Sequence, residues 1–451
     1  MTSSKSPSVV TIRLTSGSRW LLLLPALLAI IGACFVVRWY VGNTVAEYAP
    51  GVAEGGIEMA RLAVRWAPGD PLTHWRLASL EERVFSAENM ADAVREYQLA
   101  VTLSPNDYRY WMELGRALEA AGDRESGEKA LRRSVELAPA YSHPRWYFGN
   151  LLLRKGKTGE AFDQLDRAAD ADNLMRPRVF DLAMRLFDGD VNEIAKVAST
   201  TPAAHMQFAI YLVGAKRFDD AMRMWNAASP ADRRQLPDLG KEMKRGLIEA
   251  RQFQSALTVM RELDQEAELP PAEQIWNGGF ESDIKLANAA NANPFNWVID
   301  SRSSAQLDLD SHAHSGQRSL RIVLRAPRAL DAIHVSQIVA VQPGARYRFE
   351  CYVRTESLLS ASTPALVVFD AVDNTTLVTS NPIPTGTNDW QKVTLDFTAN
   401  SKHDGITVGF YRAACGGAGQ ICSIFGTIWY DDFDLQRISS PDRKGPGSTR
   451  R

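Results

Sequence analysis

Side chains able to do chemistry are sparse in this chain, and where they gather they favour binding over catalysis. From Arg346 to Arg354 the sequence alternates, with Tyr347, Phe349, Cys351 and Val353 in one phase and Arg348, Glu350, Tyr352 and Arg354 in the other. That pattern predicts a half-buried strand whose open face offers a carboxylate, a phenol and guanidinium groups. Cys415 and Cys422 bracket a glycine-rich stretch and lie close enough in sequence to pair across a loop. Cys351, in the inward phase, reads as a small core hydrophobe. Gly156-Lys157-Thr158 has the form of the end of a phosphate-binding loop, but Leu151 stands where its first glycine must be. His312 and His314 share a polar loop and read as solvated rather than metal-bound. Gly-x-Ser-x-Gly, a paired His-Glu zinc motif and a glycine-rich dinucleotide fingerprint are all missing from the sequence. The expectation is a protein that is not an enzyme. An enzymatic reading would need Glu281, Asp432 and Asp434 to surround a solvent-open metal.

The elements that must carry these residues begin with an apolar segment. Lys5, Arg13 and Arg19 precede a run from Trp20 to Val37 that contains no charge. Eighteen helical residues span about 27 Å, close to the thickness of a bilayer core. The segment 1–19 is therefore expected to be a cytoplasmic tail and 20–41 a transmembrane helix. Trp20, Trp39 and Tyr40 lie at the ends, where interfacial aromatics belong. The basic residues before the run and Glu47 and Glu54 after it predict that the remainder lies outside the cytoplasm; with the family resemblances given below, the setting expected is the periplasmic side of a bacterial inner membrane. Two alternatives stay open. The segment has features of a cleaved signal peptide, and Ile31-Gly32-Ala33-Cys34 resembles a bacterial lipobox, which would lipidate Cys34. In each case the bulk of the chain lies in an oxidising compartment, which favours a Cys415–Cys422 disulfide.

The 451 residues suffice for two or three domains, and 45% hydrophobic with 23% charged residues is ordinary for globular protein. A net charge of −2 argues against a nucleic-acid partner, since phosphate binding needs clustered excess cations.

From Ala93 to Asn173 the chain repeats itself every 34 residues. Ala93, Gly127 and Ala161 are followed by Tyr97, Leu131 and Leu165, then by Ala100, Ser134 and Ala168. Pro105 and Pro139 close two units. Small, large and small residues at this spacing let one helix nest on another, and the period marks a stacked array. Trp111, Leu114, Gly115 and Leu118, and then Phe148, Gly149 and Leu152, resemble the first-helix motif of the tetratricopeptide repeat, a pair of antiparallel helices. Weaker units extend the pattern from 50 to 269, where Pro270-Pro271 break it. Within that range, 54–68 reads as a lone second helix, and 177–200 as a shortened pair. The resemblance implies a groove lined by Arg109, Met112, Arg116, His143, Trp146, Asn150 and Arg154, a basic and partly aromatic strip for a protein partner.

After Pro271 the period falls to two. Ser319 to Arg325, Ala332 to Val341, Ala365 to Asp370, Trp390 to Phe397, Ile406 to Arg412 and Ile428 to Leu435 read as strands, which makes 273–438 a β-sandwich. The tail 439–451 reads as disordered. Asn277-Gly278-Gly279-Phe280-Glu281, Asn296-Trp297, His314-Ser315-Gly316 with Arg318-Ser319-Leu320, Val341-Gln342-Pro343-Gly344 with Tyr347, and Trp429-Tyr430-Asp431-Asp432-Phe433 follow in that order. Together they resemble the jelly-roll carbohydrate-binding modules of families 4, 9 and 22. That resemblance implies a glycan site on the concave sheet, with Glu350, Tyr352, Arg354 and Tyr411 as candidates. It also implies a structural calcium held by Glu281 and Asp432, although both could simply cap turns. Trp297, Trp390 and Trp429 fall in motif positions and read as core.

The fold class expected is multidomain: an N-terminal transmembrane helix, an all-α tetratricopeptide-type solenoid and an all-β jelly-roll sandwich. The function expected is a membrane-anchored adaptor that docks protein through its repeats and polysaccharide or oligosaccharide through its sandwich, in assembly or export of a surface polysaccharide. The alternative is an envelope scaffold whose sandwich binds protein.

Overall fold

The structure, a computed structural model, describes residues 23–263, 269–284, 293–299, 305–325, 335–415 and 422–438. The expected tails 1–19 and 439–451, and the first residues of the apolar helix, 20–22, lie outside the described residues. The chain divides into two compact units, Met1–Ala198 and Ser199–Arg451.

Among the described residues the first unit is all-helical. Its helices are α1 (Leu23–Glu47), α2 (Gly56–Trp66), α3 (Pro71–Glu81), α4 (Ala87–Leu103), α5 (Tyr108–Ala120), α6 (Arg124–Leu137), α7 (Ser142–Arg154), α8 (Thr158–Ala171), α9 (Arg176–Leu186) and α10 (Val191–Ala198). They stack as antiparallel pairs, and the columns of the repeat are the contacts between them. Ala93, Leu131, Ala161 and Leu165 are fully buried. A methyl group added to Gly115 would stand 2.5 Å from Leu131, and one added to Gly149 would stand 2.7 Å from Leu165. Each glycine therefore admits a leucine from the partner helix that a larger residue would exclude.

The prolines that close the units have a second role. The carbonyl of Pro68 lies 3.0 Å from His74 Nε2, that of Pro105 accepts from Trp111 Nε1 at 2.8 Å, and that of Pro139 accepts from Arg145 Nε at 2.9 Å. In each case the donor comes six residues later, so a turn carbonyl without a helical partner is satisfied by the next helix. Asp70, Asp107 and Asp123 cap the helices that follow them by accepting backbone N–H groups.

Two expectations are refined here. The helix read as unpaired over 54–68 is α2, and its partner is the C-terminal end of α1, where Gly42 and Ala46 are buried. The extra residues expected in the first helix of the next unit instead form a 3-10 turn, Val84 being its last residue, ended by Phe85 at a φ of 57°. Among the described residues, α1 is the one helix long and apolar enough to cross a membrane.

The second unit opens with α11 (Pro202–Gly214), α12 (Phe218–Ala227), α13 (Pro230–Gln235), α14 (Pro237–Glu249) and α15 (Phe253–Leu263). The strands follow as β1 (Val298–Ile299), β2 (Gln306–Asp310), β3 (Ser319–Arg325), β4 (Val335–Ala340), β5 (Arg346–Ser360), β6 (Ala365–Asp370), β7 (Thr376–Thr379), β8 (Gly386–Thr398), β9 (Gly405–Tyr411) and β10 (Ile424–Ile438). They form two antiparallel five-stranded sheets, ordered β1-β4-β9-β6-β7 and β2-β3-β10-β5-β8. Tyr347, Phe349, Cys351 and Val353 enter the core between them, as the alternation requires. Phe280, Trp297 and Phe433 form an aromatic knot, with ring centres 5.0 to 5.6 Å apart.

Although Pro270 and Pro271 follow the last helix, α15 is docked on the sandwich. Asp404 accepts the Phe253 and Gln254 amides at 3.1 and 2.9 Å, capping α15 from the sheet. Gln254 Nε2 donates to the Val341 carbonyl at 2.7 Å, and Arg251 donates to that of Ala371 at 3.1 Å. Phe253 is fully buried, edge-on to Phe295, over a glycine, Gly405, whose missing side chain leaves room for the ring. The helix thereby occupies one end of the outward side of the β1-β4-β9-β6-β7 sheet.

Candidate binding face of the sandwich

The other sheet carries most of the predicted site. Pairing sets Glu350 between Thr394 and Asp434, Tyr352 between Lys392 and Asp431, and Arg354 beside Trp429. Glu350 forms an ion pair with Lys392 at 2.8 Å and also accepts from the Thr394 hydroxyl. Its neighbour Arg348 binds both oxygens of Asp396, at 2.8 and 2.9 Å. The hydrogen bond from Arg348 holds the Asp396 carboxyl below its usual range. The Arg354 guanidinium lies 5.7 Å from the centre of the Trp429 ring.

Over this face folds the loop from Ser311 to Arg318. The His314 imidazole stacks on Tyr352 with ring centres 3.5 Å apart and planes 13° from parallel, and Trp390 stands edge-on to it at 5.7 Å. His312 lies 5.9 Å from Trp429. The face thus carries two aromatic groups, Tyr352–His314–Trp390 and Trp429–His312, flanked by ion-paired polar side chains.

Three carboxylates hold the loop. Asp431, fully buried, accepts the His314 and Ser315 amides at 2.7 and 3.2 Å through one oxygen and the Asp432 amide through the other. Burial raises its pKa, and these amide donors oppose the rise. Asp432 takes the Ser315 hydroxyl and His314 Nδ1, both at 2.6 Å. Glu281 Oε1 accepts the Gln317 and Arg318 amides at 2.7 and 3.1 Å. Glu281 and Asp432 therefore meet at one loop, as a calcium pair would. Glu281 Oε1 and both Asp432 oxygens also accept hydrogen bonds from the loop, which is the turn-capping arrangement.

Several predicted residues fall elsewhere. Tyr411, half exposed, lies on β9, which pairs with β4 and β6 in the opposite sheet. It cannot share a face with Tyr352, because the outward sides of the two sheets point in opposite directions. Of the tryptophans read as core, Trp297 is core. Trp429 is buried on the outward side of its sheet, beneath Arg354 and His312, whereas Trp390 instead reaches the surface of that face beside His314. His314, read as a solvated loop residue, is the central ring of the cluster. The one signal for it lay in its motif, because sequence spacing alone does not reveal that a loop will fold back over a strand. Cys415 and Cys422 are joined as a disulfide, with Cα atoms 5.5 Å apart.

In the helical array, the predicted groove residues are largely engaged with one another's neighbours. Arg109 is paired with Asp107, Arg154 with Glu119, and Arg116 with Glu113 while lying 4.8 Å from the Tyr147 ring centre. Asn150 donates to the Trp146 carbonyl, and Met112 is half-buried against the core around Phe148. His143 is exposed beside Ser142. A hollow of about 360 Å³ opens one repeat earlier, lined by Trp75, Arg76, Arg83, Phe85 and Tyr97, and shares Arg116 with the predicted strip.

Residues 272–413 match the family model described as a carbohydrate binding domain. In the helical region, the chain is 27% identical over 77 residues to Superkiller protein 3 of Saccharomyces cerevisiae, a match that spans 17% of this chain and 5% of that protein. Among solved structures, one described as "CBM4 structure and function" is 18% identical, with 36% of this chain and 99% of that chain covered and a TM-score of 0.28. One described as "Crystal structure of MamA" is 15% identical, with 39% and 85% covered and a TM-score of 0.26. The chain combines a tetratricopeptide-type helical array with a carbohydrate-binding-like sandwich.

Proposed function

We propose that this chain, an array of tetratricopeptide-type repeats followed by a carbohydrate-binding-like sandwich, is a membrane-anchored, non-enzymatic adaptor. In this reading α1 crosses a bacterial inner membrane, the bulk of the chain is periplasmic, the array holds a protein partner, and the sandwich holds glycan during assembly or export of a surface polysaccharide. The observation that carries the reading is the division of labour between the sheets. One outward side takes helix α15 at one end, through Asp404 and Gly405. The other presents Trp390 and His314 beside the ion-paired Glu350–Lys392 and Arg348–Asp396.

That surface suits a sugar on physical grounds. Aromatic rings offer apolar plates to C–H faces, and carboxylates and cations take hydroxyls. Because the charges are already paired, they present fixed hydrogen-bonding groups and need little reordering on binding. Since His314 covers Tyr352, the plate open to ligand is Trp390 with the His314 edge, and Tyr352 is its support.

The test is a glycan array probed with the full chain in detergent, alongside Trp390→Ala and His314→Ala. Binding lost in both variants, with thermal unfolding unchanged, is the expected result. A folded chain that retains no glycan would overturn the glycan assignment.

A further inference from the structure

The end of α1 that is buried in the array fixes which edge of that array meets the membrane. Helices α1 and α2 form a hairpin closed through 48–55, so they run antiparallel. Gly42 lies against Ala67, where an added methyl group would come within 2.5 Å of the Ala67 Cβ, and Asn43 donates to Asp70 at 2.8 Å. The apolar half of α1, exposed from Leu23 to Tyr40, therefore projects from the edge where second helices end and the turns to the next pair begin.

That same edge carries a large apolar residue at four successive turns. Trp66, Leu103, Tyr141 and Leu174 are 41%, 41%, 57% and 82% exposed. Adjacent turns lie side by side, since Tyr141 meets Tyr108 with ring centres 5.1 Å apart. Core packing does not account for apolar tips that point away from the core. The acids of this edge all have partners: Asp70, Asp107 and Asp172 accept the amides of Leu72, Arg109 and Leu174, Asp107 is also paired with Arg109, and the more exposed Glu136 and Asp170 are paired with Arg133 and Arg176. Arg38 and Arg65 lie among the exposed aromatics Trp39, Tyr40 and Trp66. Exposed tryptophan, tyrosine and leucine with arginine, the acids being ion-paired or capping helices, is the composition of a membrane-interface belt.

We infer that the turn edge of the array bearing Trp66, Leu103, Tyr141 and Leu174 rests on the headgroup region of the bilayer that α1 crosses. The inference depends on the membrane-anchor reading above. Its consequence is that the helices of the first unit are seated on lipid by one edge, so that their opposite edge, with the turns at Tyr48, Phe85, Gly122 and Gly156, faces away from the membrane.

The experiment uses the full chain with Cys34→Ser, reconstituted in nanodiscs of mixed phosphatidylethanolamine and phosphatidylglycerol. Nitroxide labels are placed singly through Leu103→Cys, Tyr141→Cys, Arg124→Cys and Leu28→Cys, and accessibility to oxygen and to a water-soluble nickel complex is measured. All four sites are exposed, and Arg124 lies at the opposite edge. The expected result is nickel accessibility several-fold lower at 103 and 141 than at 124, with oxygen accessibility raised. Equal nickel accessibility at 103, 141 and 124, with 28 protected, would overturn the edge contact and leave the anchor intact. A water-exposed label at 28 would overturn the anchor and the edge contact together. Protection at 141 with dipolar broadening that disappears on dilution with unlabelled chain would assign the edge to a second copy and refute contact with lipid.

Discussion

Replacing Asp404 should uncouple the last helix from the sandwich. Its carboxylate accepts the Phe253 and Gln254 amides at 3.1 and 2.9 Å and so caps α15 from outside the helix. Loss of such a cap costs up to about 2 kcal/mol, and here two amides lose their acceptor together. Asp404→Ala should therefore cost about 2 kcal/mol, or about thirtyfold in the local opening equilibrium. Asn retains the acceptor without a charge to desolvate, so Asp404→Asn should fall within about 0.5 kcal/mol of the parent. The pH dependence isolates the effect of the charge. Burial raises the Asp404 pKa, and the two amides only partly oppose it. The folded state then binds this proton more tightly than the unfolded state. Stability from the group is fully present below the ordinary carboxylate value and declines as pH rises through the raised one. The non-titrating Asn should remove that slope. Hydrogen exchange of the full chain reads all of this at the first turn of α15 and along β9. Unchanged exchange in Asp404→Ala, or Asp404→Asn as damaging as Ala, would refute the cap.

Other outcomes follow from single contacts. Trp297→Ala should cost about 3–5 kcal/mol through a core cavity, whereas Trp390→Ala should leave thermal unfolding unchanged and reduce glycan retention. Gly149→Ala should cost about 1–3 kcal/mol, read by thermal unfolding, because the new methyl group meets Leu165. Glu128 is held down to about 2, first by the hydrogen bond from Lys155, with Lys157 and Arg132 adding to it. Its depressed value means that its stabilisation is present above the ordinary 4.5 and is lost as pH falls toward 2. The deficit of Glu128→Gln in thermal unfolding should therefore be full at neutral pH and shrink across that window. Since Glu281 and Asp432 are occupied by loop donors, chelation with EDTA should leave the melting temperature unchanged. A clear rise on adding calcium would show that the loop opens to admit the ion.

The fold was legible to the extent that a period recorded contact between successive elements. In the array, Gly115 and Leu131 face each other because a small residue in one helix must oppose a large one in its partner, and both recur at 34 residues. In the sandwich, alternation places Tyr347 and Phe349 inward wherever one face is buried. Short strands with weak alternation, such as β2 and β7, left no comparable trace, and their pairing is set by neighbours distant in sequence.

The site was harder to read, because it depends on which strands share a sheet and where a loop comes to rest. Outward phase is a local property, so Tyr352 and Tyr411 looked equivalent, yet β9 joins the sheet opposite β5. His314 illustrates the second difficulty. It reaches Tyr352 only because Asp431 and Asp432, 117 and 118 residues further along, accept its amide and its ring. The closing motif Asp431-Asp432-Phe433 resembles a structural position, and in the fold that position also anchors the loop over the candidate face. Phe433 enters the core while Asp431 anchors the loop, across a bulge at Asp432 with a φ of 50°. Asp431→Asn leaves the aromatic knot intact but sets an amide N–H₂ against backbone donors, at a cost of about 1–3 kcal/mol confined to the loop. Glycan retention in that variant should fall as it does in His314→Ala, while the melting temperature drops by only a few degrees. Retention at the parent level would mean that the loop is not part of the binding surface.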